Sequence, residues 1–400
     1  MIELFLAFFV GIIIGIITGL IPGLHINLVG SIILSYPVLS FADGLSIAVF
    51  VSSLSITHTF LDLIPGVFLG TPNDDSGLSV LPGHRLLLVG RGFDAIVHAM
   101  RGGLIGLIAL VLLLPVIILV MPKIYNYLLN VVWIILILAS LYLILSQSSK
   151  VLALFIFLLS GFLGAGTLGL SVNQSLLPLL SGLFGASTII GSLLDRSAIP
   201  KQIASHINAW KLGFKESLST FKTIIISSPI PAFMPGMGSS QAVIIGSSMI
   251  DDHKNPKGFL SLIGGTNVLV MGLSFLAVFL IGKARTGSAA VILEVLKNIT
   301  AYQLTIVLIS VIIAGIISFA IGIFIAKRLS KIIGSINYSY LSIAILLIIT
   351  AFVIIFSGFV GLLVFITSAC LGLLCMSLDI RRTTLMGALI LPTIWLYWPF

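Results

Sequence analysis

Charge is what this sequence has least of: Asp, Glu, Lys and Arg together make up 8% of its 400 residues. A soluble domain needs about a quarter charged residues for a solvated shell, so a water-facing exterior is excluded. A hydrophobic fraction of 59% and a mean hydropathy of +1.27 place the outer surface against lipid. Cysteine is nearly absent as well. Cys370 and Cys375 lie in an apolar stretch and read as small buried hydrophobes, not as a disulfide or metal pair. The short alternating segments of a membrane β-barrel are missing. So are a P-loop, a GxSxG motif and a nucleotide fingerprint, which excludes ATP hydrolysis. His25, His58, His84 and His98 lack zinc-ligand spacing, so no metal centre and no cofactor are expected. The N-terminus has neither a basic leader nor a small-residue cleavage site, and is expected to be the first element of the mature fold.

What is present is long unbroken apolar sequence, such as VVWIILILASLYLIL (131–145) and YLSIAILLIITAFVIIF (340–356). An all-α polytopic membrane protein follows, with roughly ten to twelve membrane elements at ~20 residues per span. The net charge of +8 then marks Lys and Arg retained on the cytoplasmic side, not a nucleic-acid partner.

Two segments share a pattern: GLIPGLHINLVGSIIL (19–34) and AFMPGMGSSQAVIIGS (232–247), each an apolar run, a Pro-Gly break, small or polar residues and a second apolar run. Aligning Pro22 with Pro235 places the halves about 210 residues apart, and near that register Thr57-His58 falls opposite Thr266-Asn267 and Ser76-Gly77 opposite Thr286-Gly287. It also sets 157–164 opposite 365–372. The chain therefore divides into a first repeat (1–194), a basic connector (195–221) and a second repeat (222–400).

Basic residues set orientation. Lys and Arg crowd 195–222, the stretch from Arg85 to Arg101, Lys327 to Lys331, and Arg381-Arg382. All four are cytoplasmic only if 1–42 and 222–250 are re-entrant hairpins, which leaves the N-terminus outside and the two repeats inverted. Spans are expected at about 45–70, 102–121, 128–147, 150–170 and 174–193, then 258–281, 303–326, 337–356, 359–378 and 383–399.

Broken helices at membrane depth line protein-enclosed cavities, and the half-helix that follows each break points N–H groups and a positive dipole end at the gap. Pro22, Gly23, His25 and Asn27, and Pro235, Gly236, Gly238, Ser239 and Ser240, stand at those breaks. Such ends suit a carboxylate or phosphate. The polar-interrupted helices that follow add Thr57, His58 and Thr59, and Thr266 and Asn267, to a substrate site near mid-bilayer. Asp62, with Asp74 and Asp75, is the candidate ion-coupling group.

These same residues resemble the TctA-like family, the large permease subunit of tripartite tricarboxylate transporters. GLIPGLHIN resembles its N-terminal Pro-Gly motif and PAFMPGMGSS its mid-chain one. LGTPNDDSGLSVLPGHRLLLVGRGFDA (69–95) is similar to the segment between them, and LLPLLSGLFGASTIIGSLL (176–194) to the helix closing the first half. The likeness covers nearly the whole chain. His25 departs from it, standing where the family is expected to carry glycine.

The resemblance implies a permease in the cell membrane, acting on a small anion with Na+ or H+ as coupling ion. It also implies a small membrane subunit and an extracytoplasmic binding protein on separate chains, or an archaeal-type member working alone. By analogy with other hairpin transporters, an elevator-type homodimer is expected. The alternative is a translocase of a lipid-linked phosphate such as polyprenyl phosphate, since helix starts accept phosphate equally well.

Overall fold

The structure, a computed structural model, describes residues 2–21, 43–69, 80–170, 172–194, 200–202, 214–234, 238–250, 255–334 and 337–398. Every regular element among them is helical. The first half comprises α1 (Ile2–Leu20), α2 (Gly44–Leu61), α3 (Leu63–Phe68), α4 (Val80–Leu88), α5 (Gly92–Leu145), α6 (Lys150–Gly169) and α7 (Leu176–Leu194). The second comprises α8 (Phe214–Ser227), α9 (Pro229–Phe233), α10 (Ser239–Ser247), α11 (Pro256–Ile281), α12 (Gly287–Leu296), α13 (Ala301–Ile333) and α14 (Tyr338–Ser377). A 3-10 turn (Arg382–Met386) leads into α15 (Gly387–Tyr397). Eight helices among the described residues are long and apolar enough to cross a membrane, and the protein is a multi-pass membrane protein.

Two of the helical runs are too long for one crossing. At 54 residues, α5 would be about 81 Å long if straight, against a hydrocarbon core of about 30 Å. It doubles back instead. Gly102 packs on Ser261 near the start of α11, and the Tyr125 ring lies under Lys283 beyond its end. Tyr142 and Leu143 then line a small cavity with Phe259, back at the start. Pro115 and Pro122 lie within the run and each removes a helical hydrogen bond there.

Helix α14 reverses too. Gly334, just before it, lies against Pro200 and Lys201; Gly361 is near Val172; and Gly191 touches Met376. The turn is at Gly358, whose φ of 67° and ψ of −164° suit a residue without a side chain. The four passes expected from sequence for these two stretches are thus two folded-back runs.

Side-chain contacts fix the helix directions. Ser52 meets Ser310 (2.6 Å) and Thr57 meets Ser318 (2.9 Å), so α13 runs parallel to α2. Leu107 meets Gly315 and Met100 meets Gly322, so the first pass of α5 is antiparallel to α13. Gly264 packs on Ala99, Gly102 on Ser261 and Gly106 on Gly265, so that pass is parallel to α11. It follows that α2 and α11 run in opposite directions. Both are almost wholly buried, while α14, α6 and the second pass of α5 turn apolar faces outward.

The outer helices interlock through a paired contact. Gly182 of α7 seats on the Phe365 carbonyl and Ser368, and Gly387 of α15 seats on the Phe157 carbonyl and Ser160. Likewise Gly372 meets the Leu183 carbonyl, and Gly164 meets that of Ala388.

Helix α8 begins at Phe214, inside the stretch expected to be connector. Its buried stripe at Thr220, Thr223, Ile224 and Ser227 explains the extension: a helical face packed on α10 and α11 outweighs the polar composition of its first turn.

Candidate functional site

The site begins with a broken helix. Pro229 and Pro231 have no N–H, so the carbonyls of Ile225 and Ser227 lose their helical donors and α8 gives way at Ser228 to the short α9. Met234 turns extended, and Gly238 is extended before α10 begins at Ser239. Gln241 accepts a hydrogen bond from the Gly238 N–H (2.7 Å), fixing the start of α10. The first turn of α10 directs its remaining N–H groups and positive dipole end back toward the break.

Three helices meet there. Gly246 touches both Thr223 and Leu262, which sets α10, α8 and α11 side by side. One turn along each helix brings Ala242, Ser227 and Thr266 to a common level, because residues four apart share a face. Ser228 and Asn267 are the next residues in sequence, and Ser239 lies a further turn toward the start of α10. Ser227, Ser228, Ser239, Ser240, Thr266 and Asn267 are all buried.

The Ser227, Ser228 and Thr266 hydroxyls and both amide atoms of Asn267 have no hydrogen-bond partner among the described residues. The Thr220 hydroxyl of α8 is unmet as well, whereas many hydroxyls of α2 and α11 behave otherwise. Ser52, Ser53, Ser55, Thr59 and Ser274 each bond back to a carbonyl of their own helix. Leaving a buried polar group unmet costs about 1–3 kcal/mol, so these five atoms of α8, α11 and the break between α8 and α9 are candidate ligand contacts.

The first-half residues stand at the same depth. Phe60 packs on Gly103 and Gly315, and Gly106 packs on Gly265, which levels Thr57 and His58 with Thr266 and Asn267. Thr57 accepts from Ser318 and Thr59 donates to the Ser55 carbonyl, so both hydroxyls serve helix packing. His58 Nδ1 is 3.1 Å from the Thr18 hydroxyl. Asp62 is 3% exposed at the junction of α2 and α3. Pro22, Gly23, His25, Asn27, Asp74, Asp75, Pro235 and Gly236 lie outside the described residues. No cluster of His, Cys, Asp and Glu with metal-binding geometry occurs among the described residues.

Sequence reasoning missed Ser227, Ser228 and Thr18. The available signal for the first two was Ser-Ser-Pro-x-Pro just ahead of a Pro-Gly break, where side chains and freed carbonyls must share one gap.

The profile of the tripartite tricarboxylate transporter TctA family matches residues 5–387. The chain belongs to the TctA family. An uncharacterized protein of Methanocaldococcus jannaschii is 30% identical over 358 residues, covering 86% of this chain and 87% of that one. No solved structure matches the chain. For this TctA-family protein the family is one of transporters, and the membrane-spanning helices above are its permease body.

Proposed function

We propose that this TctA-family protein is a secondary active transporter of a small organic anion of the carboxylate type, coupled to Na+ or H+. The observation that carries the reading is the buried, unpartnered Thr266–Asn267 pair beside the N-terminus of α10. A carboxylate there would accept from the N–H groups of Ser239 and Ser240 and from the Asn267 amide, with His25 and Asn27 of the first break proposed as further substrate contacts. Thr57, His58 and Thr59 complete the opposite wall, and Asp62 is the coupling group. Chemistry of bond making is not part of this scheme; the protein is not an enzyme.

Inverted repeats support alternating access. The opposed directions of α2 and α11 fit an inversion, and the paired contacts fit a two-fold relation. Phe157 and Ser160 stand opposite Phe365 and Ser368 in the sequence alignment, and each pair receives a glycine from the other half. The central basic stretch 195–222 is assigned to the cytoplasm, with the N-terminus outside. A homodimer is proposed, with elevator motion of the two hairpins, α2 and α11 against the outer helices. A small membrane subunit and an extracytoplasmic binding protein are proposed as separate chains.

Ligand-induced thermal stabilisation of the purified protein tests this, since a ligand of the folded state must raise its stability. Di- and tricarboxylates, inorganic phosphate and polyprenyl phosphates are each compared with and without Na+. A shift with one carboxylate is expected. A shift confined to polyprenyl phosphate would replace the reading with a lipid-phosphate translocase.

A further inference from the structure

Thr223 and Leu262 both touch Gly246, so α8 and α11 begin at one level, and α11 ends on the side away from the basic stretch 195–222. Lys283 and Arg285 stand at that far end, where the retention of Lys and Arg in the cytoplasm does not account for them. Gly282 takes the left-handed conformation (φ 62°) that ends α11 and reverses the chain. Thr286 thereby returns to within 3.4 Å of the Ser274 hydroxyl. The reversal leaves Lys283 exposed, with its ammonium 5.6 Å from the centre of the Tyr125 ring. It also turns Arg285 inward, to donate to the Pro231 carbonyl of α9 (2.9 Å).

Packing alone does not explain Tyr125 and Lys283. Tyr125 is 7% exposed, yet its hydroxyl has no hydrogen-bond partner among the described residues, whereas a buried tyrosine ordinarily finds one. Lys283 forms no ion pair among the described residues. A carboxylate answers both groups, with one oxygen accepting from the phenol and the other from the ammonium. We propose that Tyr125 and Lys283 form an outer capture site for a carboxylate anion.

The task of the site rests on the transport reading above. Arg285 carries positive charge from this point inward to α9, where the hairpin breaks. Like charges arranged along a path raise the local concentration of the opposite ion. An anion held at Lys283 therefore waits at the outer end of α11, beyond the Thr266–Asn267 level and separate from it.

The test is chemical protection of Lys283 in the purified full-length protein at constant ionic strength. An N-hydroxysuccinimide ester acetylates the amines, and mass spectrometry compares Lys283 with Lys150 and Lys297, which are exposed as well. Succinate, citrate or inorganic phosphate is titrated in. A carboxylate is expected to slow acetylation of Lys283 saturably and to leave Lys150 and Lys297 unchanged. Tyr125→Phe is expected to raise the half-protecting concentration about fivefold, the worth of one hydrogen bond. Asn267→Leu, which disables the mid-bilayer site, is expected to leave it within about twofold. No protection by either carboxylate, protection by phosphate alone, equal slowing at all three lysines, or protection indifferent to Tyr125→Phe would overturn the site. Protection lost in Asn267→Leu would overturn it too, by assigning the effect to the mid-bilayer site. Wild type and Asn267→Leu decide the matter should Tyr125→Phe fail to fold. Vesicle uptake of the same carboxylates separates the two ideas. Uptake without protection removes the capture site and keeps the transporter, protection without uptake does the converse, and neither result removes both.

Discussion

His58 Nδ1 lies 3.1 Å from the hydroxyl of Thr18, tying the first helix to the polar interruption of α2. The packing beneath it is close: Gly15 rests on Thr57, and Gly19 on His58 and Leu61. Replacing Thr18 with Val keeps the shape and removes the bond, at a cost of about 1 kcal/mol. Uptake is expected to fall several-fold, with Thr18→Ser restoring it. Uptake unchanged in Thr18→Val would show that the pair only packs the helices.

Asn267 is expected to trade stability for activity. Its two unmet amide atoms burden the folded protein. An Asn267→Leu substitution of similar volume removes that burden and is expected to raise stability by about 1 kcal/mol. Uptake should drop at least to a tenth. Thermal unfolding and vesicle uptake on the same preparation check both; a destabilised or fully active variant refutes the assignment.

Glycines separate the tight helix pairs from the lipid face. A Cβ on Gly102 or Gly264 would run into the main chain of Ser261 or Ala99, so Val at either position must force α5 and α11 apart. A loss of about 3 kcal/mol or more, seen as failure to recover folded protein, is expected. Gly166 in α6 has nothing within 4 Å of a built Cβ. Gly166→Ala should be neutral or stabilising by about 0.5–1 kcal/mol.

His84 in α4 supplies a pH dependence. Burial pushes it down from 6.5 to about 4. The unfolded chain therefore takes up a proton between these values and the folded chain does not. Stability is full above pH 6.5 and falls as pH drops toward 4, after which the loss levels off. Replacing His84 with Gln should flatten that decline, by at most about 1.4 kcal/mol per pH unit. Unfolding midpoints across the range compare the two proteins, and parallel curves would exclude His84 as the cause.

The membrane class, the polar-interrupted helices and most passes were legible in the sequence, because composition acts locally. The stretches 102–147 and 337–378 were each read as two passes, and the second turns at Gly358, a residue whose backbone freedom travels with its identity. Thr266 and Asn267 stood out because polar groups are rare at membrane depth. What the sequence could not show is which hydroxyls are satisfied. Thr57 and Thr266 look equivalent in the alignment, yet Thr57 meets Ser318 while Thr266 meets nothing among the described residues. That difference is set by partners about 260 residues away in the chain or absent altogether. Ser227 and Ser228 passed as ordinary residues of a helical arm until three helices closed around them. Hydrogen-bond satisfaction in a bundle depends on which faces meet, and only the tertiary structure decides that.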